Sequence, residues 1–352
     1  MKVLLIKTSS LGDIVHTYPV VDYLHKKIPS VQIDWVVEAP FAELVQSHSG
    51  INKVLMIATK NWRKNFLSHE TFQSIRLFRK ELRKESYDVV FDLQGNVKSG
   101  LIISQARSLN KVGFGKNSVA EWPNLLFTSH RYNPPRGKNI RQDYLSVVSS
   151  YFNLETAVQD NKELQDVALE SFSKGIAHSQ KVDNLKRPMV MVCPGSAWRN
   201  KRLSIETWKA FLILLKDYLN CHFLFIWGNL EEKQWVEGLQ SGVKEISEIV
   251  DKMSLPLLQN LMEMSDLVIA MDSLPLHLAG TTNTPSFSVF GASSALKYKP
   301  LGEKHFALQG KCPYSRAFEK RCPILRTCPT GACIRSLEAV EIFDAFKSWW
   351  GK

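Results

Sequence analysis

Short apolar runs alternate with amphipathic segments along most of this chain. The first run, Val3–Ile6, has four consecutive apolar residues and predicts a buried strand. Later runs are followed by apolar residues at helical spacing, and strands that alternate with helices are typical of parallel α/β sheets. The pattern predicts strands over residues 3–6, 32–37, 53–57, 87–93, 111–114, 189–193, 222–227, 266–271 and 285–290.

The alternation is interrupted once, and this divides the chain into two α/β units. Strand signals stop near residue 135, at the Pro134–Gly137 turn, and restart at Met189. We therefore predict a first domain over residues 1–165, a linker over 166–187 and a second domain over 188–335. Two consecutive open sheets would present the loops at their carboxyl ends to a cleft between them.

The first predicted strand leads directly into a small polar loop, Lys7–Asp13, and then into a helix. Ligands of open parallel sheets bind beyond the carboxyl ends of the strands, so the Asp13 carboxylate would face that cleft. The alternative is that Asp13 only caps the helix. The spacing of the residues fits both interpretations equally.

Two loops of the second unit combine small residues with charge. Pro194–Arg202 offers glycine and serine N–H groups together with Lys201, which suits a diphosphate, although an ordinary surface loop fits the spacing too. Asp272 and Ser273 precede a predicted helix, whose first N–H groups lack acceptors within the helix. His277 lies in the first turns of that helix and is either a packed side chain or a functional one.

The net charge of +11 is concentrated in the first half of the chain. Residues 1–150 hold 21 Lys and Arg against 12 Asp and Glu, whereas residues 151–352 hold 24 against 22. This distribution favours an anionic partner such as lipid phosphates, a membrane surface or nucleic acid, although a solvated basic surface gives the same count. Basic residues concentrate in a predicted loop, Asn61–Asn65, and on a predicted amphipathic helix. The apolar face of that helix would hold Phe72, Ile75, Phe78 and Leu82.

Several classes of protein are disfavoured by missing patterns. No apolar run approaches the roughly 20 residues of a membrane helix, and Val3–Ile6 is too short for the core of a signal peptide, so we expect a cytoplasmic protein. The Gly-x-Gly-x-x-Gly pattern of nicotinamide dehydrogenases follows none of the predicted strands. Helix-turn-helix, RNP-type and zinc-finger patterns are also missing, which argues against nucleic-acid binding.

Four cysteines cluster late in the sequence without the usual spacing of a metal site. Nine, five and four residues separate them, so the cluster contains no Cys-x-x-Cys pair and matches the usual ligand spacing of zinc sites poorly. We therefore expect no bound metal. If one were bound, the candidate ligands would be Cys312, Cys322, Cys328 and Cys333.

A set of short motifs spans both predicted units. Those of the first unit are Lys7–Asp13, His16–Thr17, Asp34–Glu38, Phe41–Ala42, Trp62–Lys64, Tyr87–Val89 and Gln94–Ser99. Those of the second unit are Pro194–Ser196, Lys201, Glu206, Trp208, Trp227–Gly228, Lys252–Leu255, Asp272–Ser273 and His277–Leu278. Together they resemble the bacterial lipopolysaccharide heptosyltransferases of glycosyltransferase family 9, most closely the heptosyltransferase I branch.

The resemblance implies a GT-B fold, with two Rossmann-like domains whose parallel sheets face a central cleft, and a C-terminal helix over residues 336–352 that packs back on the N-terminal domain. It implies transfer of a heptose, with inversion, from ADP-L-glycero-D-manno-heptose to a Kdo sugar of lipid A, with this ADP-sugar as co-substrate and no cofactor. Asp13 resembles the general base. The positions that resemble donor ligands are Ser196, Lys201, Met253, Asp272, Ser273 and His277. The positions expected to bind the acceptor are Ser10, Gly12, Arg63, Lys64 and Gln94.

The expected partners follow from the same resemblance. We expect a monomer in peripheral contact with the cytoplasmic face of the inner membrane, with an anionic glycolipid as acceptor and no nucleic acid as partner. Two alternatives stay open. One is a family 9 transferase that uses another nucleotide sugar or adds the second heptose, and the other, outside the enzymes, is a basic nucleic-acid-binding protein.

Overall fold

The computed structural model describes residues 1–154 and 188–351. The predicted linker, 166–187, and the predicted boundary at residue 165 lie outside the described residues. The described chain forms two compact units, one within residues 1–154 and the other within residues 188–351. Each unit contains its own six-stranded sheet.

The first unit is a parallel α/β sheet. Its strands are β1 Lys2–Ile6, β2 Gln32–Glu38, β3 Lys53–Ile57, β4 Val89–Asp92, β5 Lys111–Phe114 and β6 His130–Tyr132. Its helices are α1 Leu11–Val15, α2 Tyr18–Lys27, α3 Ala42–Gln46, α4 Thr59–Lys64, α5 His69–Leu82, α6 Val97–Gln105 and α7 Ile140–Phe152. The strand order is β3-β2-β1-β4-β5-β6, and β1 pairs in parallel with both β2 and β4. The loops that follow β1 and β4 therefore meet at the point where the strand order reverses, which is where open α/β sheets bind ligands.

The second unit repeats this architecture. Its strands are β7 Met189–Cys193, β8 His222–Phe225, β9 Ser247–Ile249, β10 Leu267–Met271, β11 Ser286–Phe290 and β12 His305–Gln309. Its helices are α8 Ile205–Leu219, α9 Leu230–Gln240, α10 Leu255–Met264, α11 Leu274–Ala279, α12 Ala295–Tyr298, α13 Ala332–Arg335 and α14 Ala339–Trp350. The order is β12-β11-β10-β7-β8-β9, so the loops after β7 and β10 are neighbours.

The predicted strands include every central strand, and three strands at the sheet edges were not predicted. All nine predicted strands are present, with bounds that shift by at most two residues. The missed strands β6, β9 and β12 each lie at an edge of a sheet. Edge strands are covered on fewer sides than central ones. β6 and β9 are only three residues long and lack a continuous apolar run, and the run in β12 is only three residues long.

Two local predictions in the first unit were wrong. The predicted basic loop Asn61–Asn65 is mostly helical, because α4 runs to Lys64. In α5 the prediction placed Phe72 on the face that packs on the sheet. That face contains Thr71 instead, and the Phe72 side chain is 59% exposed. Thr71 and Leu82 are eleven residues apart, which is close to three helical turns, so they share one face more closely than Phe72 and Leu82 do.

The final helix, α14, belongs to the second unit. Ile342 and Phe346 are fully buried in the core of that unit, where Phe346 lies edge-on to Phe211 of α8 and Phe287 of β11. The expected packing of this helix on the N-terminal domain stays a prediction. The aromatic side chains of the neighbouring elements complete the cluster around its buried face.

Candidate functional site

Asp13 lies in the first turn of α1, at the carboxyl edge of the first sheet. Ser10 is the N-cap of this helix, and Asp13 Oδ2 accepts hydrogen bonds from its N–H (3.1 Å) and its hydroxyl (2.8 Å). The Tyr144 hydroxyl lies 3.5 Å from Oδ1, and Lys7 Nζ lies 4.6 Å from the centre of the Tyr144 ring. Asp13 thus caps the helix, and its second oxygen is turned towards polar groups of α7.

Gln94 fixes the loop that carries Asp13. Its Oε1 accepts hydrogen bonds from the Thr8 N–H (3.0 Å), the Ser9 N–H (3.1 Å) and the Thr8 hydroxyl (3.3 Å). From the other side, Lys7 Nζ donates to the carbonyl of Leu93 (2.9 Å). These bonds join the loop after β1 to the loop after β4, so the structure brings Ser10, Gly12, Asp13 and Gln94 to one place.

A buried carboxylate, Asp92, orders the loop after β4. It is the last residue of that strand and fully buried. Burial raises the pKa of Asp92, although the donated hydrogen bonds oppose this effect. The donors are the N–H groups of Gln94 and Gly95, the Ser99 hydroxyl and the Asn124 amide. Asp92 is therefore a structural support for Gln94.

A second polar group at this edge centres on Glu38, the last residue of β2. Lys98 Nζ lies 2.9 Å from its Oε1, and Thr59 donates to it from both its N–H (3.1 Å to Oε2) and its hydroxyl. Thr59 begins α4, whereas Arg63 and Lys64 lie exposed at the end of the same helix. Glu38 was not among the predicted site residues, although its position directly after an apolar run was a usable signal.

In the second unit, Lys201 and Asp272 form a buried ion pair. Lys201 Nζ contacts Asp272 Oδ2, and the two residues are only 7% and 6% exposed. The Ser293 hydroxyl donates to the same oxygen, and His277 Nε2 lies 3.6 Å from Oδ1. Lys201 and Asp272 come from the loops after β7 and β10, which are neighbours at the reversal of strand order.

The electrostatics of Asp272 favour its ionised form. Burial alone would raise its pKa, but Lys201 and His277 outweigh that effect, so the pKa lies below its ordinary value. Lys201 is therefore not an exposed surface cation and His277 lies against a carboxylate, while the functional roles expected of both residues stay predictions. Ser293 was missed because it follows β11 in a loop without a charged residue.

The remaining predicted donor residues differ in how close they lie to the Lys201–Asp272 pair. The Ser196 hydroxyl donates to the Asp272 carbonyl (3.3 Å), and Ser273 is the N-cap of α11. Arg202 Nε donates to the Ser196 carbonyl (2.5 Å) and so holds the loop after β7. Met253 is half-buried in the separate loop between β9 and α10. The structure thus brings together all the donor candidates except Met253.

The segment with the four late cysteines supports the Lys201 loop. All four line one pocket with Asn200, and the Asn200 amide donates to the carbonyls of Leu325 and Cys328, both at 2.9 Å. The Gly331 N–H donates to Cys328 Sγ (3.4 Å), and this bond lowers the pKa of that thiol. Burial raises the pKa of Cys333 to about 11. Within residues 1–154 and 188–351, no group of three or more His, Cys, Asp or Glu is placed to hold a metal ion.

Comparison with known proteins gives the family. The model of the family described as "Glycosyltransferase family 9 (heptosyltransferase)" matches residues 75–327. The lipopolysaccharide heptosyltransferase 1 of Campylobacter coli is 30% identical over 359 residues, which is 100% of this chain and 99% of that protein. The protein of the same description from Escherichia coli K12 is 26% identical over 306 residues, covering 83% of this chain and 88% of its own.

Solved structures agree on the fold. The E. coli heptosyltransferase WaaC with ADP has a TM-score of 0.80 and 21% identity, and the match covers 99% of this chain and 100% of that one. A family 9 glycosyl transferase from Veillonella parvula has a TM-score of 0.76 and 16% identity, covering 99% and 96%. The enzyme hypothesis, not the nucleic-acid-binding one, is therefore confirmed. This chain belongs to glycosyltransferase family 9, and it is a glycosyltransferase with the GT-B fold.

Proposed function

We propose that this chain transfers a heptose from ADP-L-glycero-D-manno-heptose to Kdo of the lipid A inner core, with inversion at the anomeric carbon. The observation that carries the proposal is the likeness to the C. coli lipopolysaccharide heptosyltransferase 1, which extends over the entire chain. The solved WaaC structures, one with ADP and one with ADP-2-deoxy-2-fluoro heptose, have the same fold. They make an ADP-sugar the donor to test first.

In the first unit, we propose Asp13 as the general base. A sugar hydroxyl is a weak nucleophile until a base removes its proton during attack. The position of Asp13 after β1, at the reversal of strand order, supports this role. Ser10, Gly12 and Gln94 lie in the same loop cluster and would bind the acceptor sugar. Arg63 and Lys64, exposed at the end of α4, would bind its anionic groups.

In the second unit, we propose that the loops around Lys201 and Asp272 bind the donor diphosphate. The departing ADP gains negative charge, which the Lys201 ammonium and N–H groups at the start of α11 would stabilise. Asp272 would orient Lys201, and Ser196, Ser273 and His277 would complete the pocket. Met253, in its separate loop, would contact the adenine through its backbone. The ADP-sugar would be the co-substrate, with no cofactor.

We also propose that the enzyme works as a monomer at the cytoplasmic face of the inner membrane. Its acceptor would be an anionic glycolipid, and the first unit carries most of the positive charge. No helix in the two described ranges has the length and apolar character needed to cross a membrane. Contact with the lipid surface would then depend on surface residues of the first unit.

A transfer assay tests the proposed reaction. The purified chain is incubated with Kdo-lipid A and, in parallel, with ADP-heptose, UDP-hexoses or GDP-sugars, and the product linkage is assigned by NMR. We expect transfer from ADP-heptose alone, with inverted anomeric configuration. Transfer from another nucleotide sugar, or transfer only to an acceptor that already carries one heptose, would contradict the proposal and support the alternative family members.

Gln94 allows loop support to be separated from acceptor binding. Gln94→Leu removes an acceptor of three hydrogen bonds, so we expect the unfolding free energy to fall by about 1–3 kcal/mol and turnover to fall with it. Gln94→Glu keeps the accepting oxygens, loses the amide donors and adds a negative charge, so it should retain stability and raise KM for the acceptor. Thermal unfolding and steady-state kinetics measure both effects. Equal loss of stability in the two variants would contradict this division.

Asn200 should affect donor binding through the adjacent Lys201. Asn200→Ala removes the two bonds to the cysteine segment, so we expect weaker ADP binding by calorimetry, by about fivefold, and a lower unfolding temperature. Asn283→Ala is the matched control. Asn283 follows α11, away from the loop after β7, and donates hydrogen bonds to Glu263. The control should lose some stability and keep its ADP affinity. Unaltered ADP affinity in Asn200→Ala would rule out the support role.

A further inference from the structure

The turn between α4 and α5 exposes apolar side chains beside basic ones. Phe66 and Leu67 in this turn are 64% and 76% exposed, and Phe72 in α5 is 59% exposed. Arg63 and Lys64 end α4 immediately before the turn, and both are exposed. We call these five residues the α4–α5 tip. Large apolar side chains grouped at a surface mark a site of interaction more often than single ones do.

The tip is held rigidly by bonds on both sides of the turn. In α4, Trp62 Nε1 donates to the Ser74 hydroxyl (3.0 Å), which ties α4 to α5. At the start of α5, Ser68 caps the helix by accepting from the Thr71 N–H (3.2 Å), and its own N–H donates to Asn65 (2.9 Å). The apolar side chains at the turn are therefore fixed in an exposed position by structure on either side.

The tip lies on the same edge of the first sheet as the candidate acceptor site. Helix α4 begins at Thr59, which binds Glu38 at the carboxyl end of β2. Six helical residues span about 9 Å, so the tip extends roughly that far from the edge. Helix α5 then returns the chain to the amino ends of the strands, where Arg83 lies. The basic residues at the end of α5 are thus at the opposite edge from the tip.

We propose that the α4–α5 tip is an interfacial anchor that inserts Phe66 and Leu67 between the headgroups of an anionic phospholipid bilayer. Arg63 and Lys64 would pair with lipid phosphates at the depth where the apolar side chains enter. The inference rests on the proposed function, because the anchor would bring the acceptor edge to a surface that carries a lipid acceptor. Charge favours lipid over a second copy of this chain, since two cationic tips repel each other.

Vesicle sedimentation with the full chain tests the anchor. The vesicles contain phosphatidylcholine with or without phosphatidylglycerol, and salt is varied. We expect Phe66→Ser with Leu67→Ser to weaken binding to anionic vesicles at least tenfold at both low and high salt. The variant loses the apolar contribution to binding, which salt does not screen. The variant Arg63→Glu with Lys64→Glu should weaken vesicle binding chiefly at low salt, because at high salt the attraction to lipid phosphates is already screened.

Two matched controls lie at the opposite edge. Leu109, between α6 and β5, is 94% exposed, so Leu109→Ser removes an even more exposed apolar side chain. Arg79→Glu with Arg83→Glu reverses the same number of charges on α5. Leu109→Ser should bind vesicles within about twofold of the wild type at both salt concentrations, and at low salt Arg79→Glu with Arg83→Glu should lose less binding than Arg63→Glu with Lys64→Glu. The anchor would be overturned if Leu109→Ser lost as much vesicle binding as the double serine variant, or if the double serine variant bound vesicles fully.

Further readouts separate the anchor from the proposed function. The double serine variant should keep its ADP affinity and its transfer to an acyl-free Kdo acceptor, because it changes only apolar side chains and leaves Arg63 and Lys64 in place. Loss of that transfer would place the tip in the sugar site and overturn the anchor. Self-association of the wild type that disappears in the variant would identify a dimer surface and also overturn it. Tip-dependent vesicle binding without any heptosyl transfer would support the anchor and contradict the proposed function.

Discussion

Asp13→Asn should lower turnover by about 10²-fold or more, with little change in ADP affinity. Asparagine keeps an oxygen that can accept from the Ser10 N–H and hydroxyl, so α1 should keep its cap. It cannot accept the proton of the acceptor hydroxyl. Turnover by a coupled ADP-release assay and affinity by calorimetry measure the two effects, and near-normal turnover would rule out the general-base role.

A control variant tests whether the loss comes from the carboxylate at this place. Glu43 is an exposed acidic residue in the first turn of α3, so Glu43→Gln removes a comparable first-turn carboxylate elsewhere in the unit. It should leave turnover unchanged. Tyr144→Phe removes the hydroxyl 3.5 Å from Asp13 Oδ1 and should reduce turnover by less than Asp13→Asn, because the base itself remains.

Lys201→Ala should weaken ADP-sugar binding strongly and also destabilise the second unit. The variant leaves the Asp272 carboxylate buried without its ammonium partner, which typically costs about 3–5 kcal/mol. Calorimetry with ADP and chemical unfolding of the same preparation measure the two effects. Lys84→Ala is the control, because Lys84 pairs with Glu81 at the surface and such pairs contribute about 0–1 kcal/mol. Unchanged ADP affinity in Lys201→Ala would exclude the diphosphate role.

The Lys201–Asp272 pair also predicts a pH dependence of stability. The folded pKa of Asp272 is below its value in the unfolded chain, so the pair stabilises the fold fully above about pH 4. This contribution is lost as the pH falls through the folded pKa. We therefore expect Lys201→Met to flatten the acid limb of the stability curve below about pH 4 relative to the wild type. An unchanged acid limb would contradict the ion pair's contribution.

The sequence located the loops of the site better than the contacts within them. Asp272 follows an apolar run directly and Asp13 lies in the short loop after one, and in each sheet the strand order brings the neighbouring loop close. The pairing of Lys201 with Asp272 was not visible, because 71 residues separate them and only the neighbouring positions of β7 and β10 bring them close. Gln94 was selected only by family resemblance, since nothing local shows that its side chain holds Thr8 and Ser9.

The helix that replaces the predicted basic loop has a similar cause. A basic segment such as Asn61–Asn65 has no apolar face of its own, so its sequence suggested a loop. Trp62 supplies the only large apolar contact, by packing its ring 6.0 Å from that of Phe78 on α5. For α14, the apolar pattern showed that one face would be buried but could not show against which unit. Its partners, Phe211 and Phe287, are far away in the sequence.

The position of α14 in the second core has a consequence for folding during synthesis. The sheet and helices described for the first unit are complete by residue 152, so this unit can fold while the rest of the chain is still being made. The second core cannot close until Phe346 has left the ribosome. Until then Phe211 and Phe287 lack one of their buried neighbours, so a chain that stalls late in synthesis would present a folded first half joined to an aggregation-prone second half.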